Sequence, residues 1–187
     1  MMVVYIFLGL VFLLLGLGVS IYNRLVKNQN LVQEAWSGID VQLKRRSDLI
    51  PNLVEAVQGY MGHERQVLDR VTELRTQSRQ AGSVGEKARA EGMLGAALGN
   101  LLAVAENYPD LKASQNFLEL QRALADIEEQ LQMARRYYNG AARNLNILIG
   151  SFPSNLIAQR FNFQLAEYFE IEAPQDREVP KVSFPGI

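Results

Sequence analysis

Apolar residues form an unbroken block at the start of the chain and a stripe thereafter. Met2 to Ile21 (MVVYIFLGLVFLLLGLGVSI) contains no charged residue, and its length matches the ~20 positions needed to cross ~30 Å of hydrocarbon. It lacks the basic n-region, short apolar core and Ala-x-Ala-like cleavage site of a signal peptide, so it reads as an uncleaved signal anchor. From Val32 onward, apolar residues recur in alternating steps of four and three: Val32, Trp36, Ile39, Leu43, then Ile50, Leu53, Val57, Tyr60, then Val67, Val71, Leu74. That rhythm predicts a long helix with a coiled-coil-like stripe. Pro51 falls inside it with the same phase on both sides, so one helix from about Val32 to Ser78, kinked at Pro51, is expected.

Gln80 to Gly85 (QAGSVG) has turn composition, and a second helix is expected from about Glu86 to Asn107, ended by Tyr108-Pro109. A third carries the stripe Phe117, Leu120, Leu124, Ile127, Leu131, Ala134, Tyr138, Ala141, Leu145, Leu148 until Gly150-Ser-Phe-Pro153, with a short fourth from about Ser154. The tail from Ala173, with three prolines, reads as extended, and Val179 to Phe184, which alternates like a strand, reads either as a peptide docking on the body or a partner or as part of a disordered tail. The expected fold is all-α: one N-terminal transmembrane helix, then an elongated antiparallel bundle of three long helices plus a short C-terminal one. The expected division is an anchor at 1–22, a bundle at 23–170 and a tail at 171–187.

Charge orients the anchor. No Lys or Arg precedes the span, whereas Arg24 and Lys27 follow it at once, so the positive-inside rule places the amino terminus outside and the body in the cytoplasm. A periplasmic body is the alternative. The net charge of −1 over 187 residues removes the main argument for nucleic-acid binding. The absence of cysteine excludes disulfides, thiolate nucleophiles and Cys-containing zinc sites. His63-Glu64 is the one histidine-centred pair, and no second histidine completes an HExxH motif. No cofactor or metal is expected, and catalysis ranks third among the functional readings.

The candidate interaction residues come from packing. Arg46 and Glu64 interrupt the stripe, too far apart on one helix to pair with each other, so each is expected to meet an opposite charge on another helix or subunit and to set register. Gly92, Gly95 and Gly99 form a small-residue strip suited to close approach by another helix. The expected helix lengths leave Val32, Trp36, Ile39 and Leu43 uncovered near the membrane, which predicts that these stems pack against each other in a homo-oligomer. Lys44-Arg45-Arg46 lies too far along the helix to reach headgroups and reads as a solvated face or a site for an acidic partner.

Several runs are specific beyond these patterns: Tyr22-Asn23, Leu25-Val26, Asn30, Ala35-Trp36-Ser37-x-Ile39-Asp40-Val41-Gln42-Leu43-Lys44-Arg45-Arg46, Asp48-Leu49-Ile50-Pro51-Asn52-Leu53-Val54 and Tyr60-x-x-His63-Glu64. With Glu106-Asn107-Tyr108-Pro109-Asp110-Leu111-Lys112-Ala113, Asn116-Phe117, Arg136-x-Tyr138-Asn139 and Phe152-Pro153, the chain closely resembles the LemA family of bacterial membrane proteins. The resemblance covers nearly the whole chain and implies one amino-terminal anchor and a helical body, with no established enzymatic activity. Glu128-Glu129 and Leu145-Asn146 depart from the Glu-Asn and Tyr-Asn expected there. The resulting expectation is a protein of the bacterial inner membrane, acting as an oligomeric scaffold or partner-binding module. The alternative is a lipid-binding or membrane-shaping protein.

Overall fold

The computed structural model describes residues 1–62 and 64–170, so His63 and the tail at 171–187 lie outside the described residues. The fold is all-α, a helical bundle with one long apolar helix at the amino terminus. In chain order the helices are α1 (Met2–Gln58), α2 (Arg65–Gln80), α3 (Val84–Ala105), α4 (Pro109–Lys112), α5 (Gln115–Gly150) and α6 (Ser154–Arg160). They build two compact units: Met1–Arg45 with Asp126–Tyr168, and Arg46–Ala125 with the described residues Phe169 and Glu170.

In the first unit, α1 is packed by the second half of α5. Trp36 meets Tyr138 at 5.5 Å between ring centroids, whereas Leu25 shares a buried cluster with Leu145 and Ala158. Numbers rising on α1 against numbers falling on α5 make the two antiparallel. α6 folds back on α1, and after Asn162, in the left-handed region at φ 56°, the chain returns along α5 as an extended arm. Asn146 holds that arm at two points: its Nδ2 donates to the Ala166 carbonyl at 2.9 Å, and its Oδ1 accepts from the Ala166 amide at 2.8 Å. One side-chain amide thus does the work of a strand partner. The Tyr138 hydroxyl donates to the Glu167 carbonyl at 2.8 Å further along the arm. Burial, with the Glu167 charge second, pushes the Tyr138 phenol above its ordinary pKa.

In the second unit, the end of α1, then α2, α3, α4 and the start of α5 enclose one core around Ile50, Leu53, Val57, Val71, Leu94, Leu101, Leu111 and Phe117. Ser83 opens α3 with a capping box: its hydroxyl accepts from the Glu86 amide at 3.2 Å, and Glu86 Oε2 accepts from the amides of Ser83 at 3.2 Å and Gly82 at 3.0 Å. Those amides hold the Glu86 carboxyl below its ordinary value.

The structure corrects one helix expected from the stripe. The helix over Val32 to Ser78 is two helices, and the break is not at Pro51. α1 passes through Pro51 and ends at Gln58, beyond which Gly59 and Gly62 fall in the six residues before α2, and each glycine weakens a helix by about 0.5–1 kcal/mol. α2 then returns along α1, so its apolar residues pack on the stripe they seemed to extend. Pro51 is tolerated because its cost is met locally. Having no N–H, it leaves the Ser47 carbonyl without its helical donor, and Arg75 Nε of α2 donates to that oxygen at 2.7 Å.

Two outcomes test these devices. Arg75→Met is expected to cost about 1.5–3 kcal/mol of stability, as for a hydrogen bond to a charged group, and clearly less in a Pro51→Ala background, where residue 51 supplies the donor. Chemical denaturation of the four variants in a double-mutant cycle measures the coupling; simple additivity contradicts it. The Glu86 shift is downward, so its stabilisation is complete above the ordinary value of 4.5 and is lost as pH falls through the lower folded value. Glu86→Gln should therefore flatten the acid side of the thermal-midpoint curve between about pH 6 and about pH 3.

Candidate functional site

Arg46 is the largest fully buried side chain among the described residues, 1% exposed. A guanidinium in that position requires an anion, because its desolvation is not recovered otherwise. Glu91 of α3, 2% exposed, places Oε2 at 3.4 Å from Arg46 Nη1. The other carboxylate oxygen, Oε1, accepts a hydrogen bond from the Ser78 hydroxyl of α2. The polar cluster therefore joins α1, α2 and α3 through one residue from each. Gly95, one turn beyond Glu91, completes the seat: a Cβ there would stand 3.3 Å from Arg46 Nη2. What approaches the glycine strip at this point is a guanidinium from α1. Gly92 is half-buried and Gly99 faces open space.

The second stripe interruption is also used inside the chain. Tyr108, at the start of α4, donates its hydroxyl to Glu64 Oε1 at 2.6 Å. The bond to the Glu64 carboxylate raises the Tyr108 phenol above its ordinary pKa. The α1–α2 break is thereby tied to the Asn107-Tyr-Pro-Asp110 turn, 44 residues on. Of the expected charge partners, Arg46 has one on a neighbouring helix of the same chain, and Glu64 takes a phenol there.

Val32, Trp36, Ile39 and Leu43 are not an uncovered stripe. Ile39 is 0% and Leu43 4% exposed, Trp36 stacks edge-on against Tyr138, and Val32 packs on the Leu25–Leu145–Ala158 cluster. The expectation that these stems needed a second copy rested on helix lengths that the break after Gln58 changes. The antiparallel second half of α5 meets this part of α1 within the chain. Of Lys44-Arg45-Arg46, read as a solvated face, the first two are exposed and the third is buried.

Glu91, Ser78, Arg75 and Asn146, none of them among the stripe residues, share this work. For Glu91 a signal was present, since it keeps phase with Leu94, Leu98, Leu101 and Ala105 on the buried face of α3. A charge on that face demands a partner, as Arg46 does on α1. Among the described residues no group of three or more His, Asp or Glu is placed to hold a metal ion. A surface cleft of about 200 Å³ between α2 and α3 is lined by Gln66, Val67, Arg70, Ala97 and Asn100, a set without a nucleophile–base pair.

The match to known proteins covers both units. Residues 35–184 match the LemA family. The chain belongs to that family. Among its relatives, the LemA protein of Metamycoplasma hominis is 28% identical, over 89% of this chain and 80% of its own length. Magnetosome protein MamQ 2 of Paramagnetospirillum magneticum is 27% identical over 84% of this chain and 68% of its own. MamQ of Magnetospirillum gryphiswaldense is 24% identical over the same shares. The match to the family begins at Ala35 and so includes Arg46, Glu91 and Ser78.

For this LemA-family chain the buried pair predicts a specific pattern of stability. Arg46→Leu or Glu91→Leu alone should cost about 3–5 kcal/mol, because each leaves an uncompensated buried charge. The double variant should recover most of that loss. Thermal midpoints of the three variants in detergent measure it, and a double variant as unstable as the singles contradicts the pairing.

Proposed function

We propose that this protein is a membrane-anchored scaffold, a helical bundle that binds a partner or further copies of itself and performs no catalysis. The observation that carries the reading is the use made of the buried and half-buried polar groups. Arg46, Glu91, Ser78, Arg75 and Tyr108 each hold one helix against another, so the chemistry available in the interior is spent on shape. In this reading the anchor at 1–22 runs into the bundle at 23–170 without a linker, along α1 from Met2 to Gln58, and among the described residues one helix is long and apolar enough to cross a membrane. Its relatives include magnetosome proteins. The alternation at Val179 to Phe184 suits a segment that docks on the body or on a partner.

With the stripe covered inside the chain, contacts between copies or with a partner fall to other surfaces. Val41, Met133 and Tyr137 of the first unit are large apolar side chains, 55%, 41% and 56% exposed. Arg24 and Lys27 support a bacterial inner-membrane location with the body in the cytoplasm. Photo-cross-linkers placed at these three positions in intact membranes should give a discrete adduct, to a second copy or to one defined protein. Absence of any adduct from all three overturns the scaffold reading. In the same cysteine-free background, Gln132→Cys should resist a membrane-impermeant thiol reagent in intact spheroplasts and react after permeabilisation. Labelling before permeabilisation places the body in the periplasm.

A further inference from the structure

The end of the apolar block is not bare: α6 is docked on it. A Cβ on Gly18 would lie 4.0 Å from Ile157 Cδ1. The Tyr22 ring packs on Phe161 at 4.8 Å and on Phe163 at 5.8 Å between centroids. Leu25 and Ala158 are buried together. α6 therefore covers the stretch of α1 in which the uncharged block gives way to Asn23, Arg24 and Lys27. The end of α5 reaches the same level, since Leu145 pairs with Leu25 and Gly150 lies about 7 Å further toward the block at 1.5 Å per residue.

At that level α6 and its flanks expose large apolar side chains. Ser154 and Ala158 turn α6 inward and are buried, whereas Phe152 is 80% exposed, Leu156 56% and Phe161 55%. Three large apolar side chains within ten residues are out of place in water and at home beside acyl chains. Arg160, whose guanidinium lies 6.0 Å from the Phe161 ring centroid, sets a cation at the edge of the same patch, in reach of headgroup phosphates for a side chain that snorkels.

We propose that the α5–α6 corner is a membrane foot, with Phe152, Leu156 and Phe161 seated at the boundary of headgroups and acyl chains around the base of the α1 span. The occupant of this patch is a phospholipid bilayer. Continuity with the apolar block decides it: a side chain that touches Gly18 stands at the depth of the last turn of that block, where lipid is the neighbouring medium. Covalent attachment to the span supplies the affinity that a seven-residue helix lacks alone. The inference rests on α1 crossing the membrane, and the test separates the two.

The full chain, free of native cysteine, is reconstituted in phosphatidylcholine bilayers containing phosphatidylglycerol. Single cysteines replace Phe152, Leu156, Leu10 in the span, or Gln132, which sits about 20 Å along α5 from Leu145. All four residues are exposed, so the core is untouched. Each variant carries an environment-sensitive fluorophore and is titrated with shallow and deep nitroxide lipids and with aqueous iodide. The expected result is several-fold stronger quenching by shallow nitroxide at 152 and 156 than at 132, deep quenching at 10, and iodide quenching strongest at 132. Iodide access at 152 and 156 equal to that at 132, with Leu10→Cys still quenched by lipid, overturns the foot and leaves the span intact. Shielding of 152 and 156 from both quenchers means that protein covers the patch, and also overturns it. Absence of lipid quenching at 10 removes the span and the foot together.

Discussion

A guanidinium withdrawn from water constrains everything packed around it. Arg46 carries a full charge at 1% exposure, and the carboxylate that answers it must come from a helix held at one height and one rotation. Glu91 meets that condition only where α3 is placed with Gly95 facing α1, since a side chain at 95 would crowd the guanidinium. Ser78 then fixes α2, because the remaining carboxylate oxygen is otherwise a buried acceptor without a donor. Such pairs add little net stability over apolar residues of the same volume, and their effect is greatest on which arrangement of helices is acceptable. A slip of α1 or α3 by one turn would strand a charge, and a slip of α2 would leave a buried carboxylate oxygen without its donor.

A second local debt is discharged in the same way. Pro51 deprives the Ser47 carbonyl of its donor, and the replacement comes from Arg75, on the helix that returns beside it. The geometry that lets α1 keep its course thus depends on α2 reversing after Gln58, and that reversal occurs across Gly59 and Gly62. Tyr108 ties the same corner to the turn before α4 through Glu64.

The elements themselves were legible in the residues. The uncharged block, the 3-4 stripes, the QAGSVG turn, the Tyr108-Pro109 stop and the short helix after Pro153 all have counterparts in the structure. What the period could not show was direction. A stripe that keeps phase across Gly59 to Gly62 reads the same whether the chain continues or doubles back, and glycines are weak signals beside a proline. From that one ambiguity followed the wrong lengths, and from the lengths the apparent exposure of Ile39 and Leu43. Arg46 is visible as a charge out of place, whereas its partner Glu91 sits among the charges Glu86, Lys87 and Arg89 that open α3, and nothing in the period of α1 points to it. Asn146, which holds the arm at Ala166, had no periodic signature, since its role is to imitate backbone.

The unbroken run of α1 from the apolar block through the rest of the first unit has a mechanical consequence. The part of α1 in the first unit, Met2 to Arg45, is about 65 Å of helix, and a span longer than the local hydrocarbon thickness can adjust by tilting. Where a flexible linker would absorb that lean, α1 transmits it to whatever is packed along its first 45 residues. Under the proposed span, thinner lipid would therefore reset the angle at which Trp36, Tyr138 and the returning arm stand over the surface, making bilayer thickness a mechanical input to the first unit.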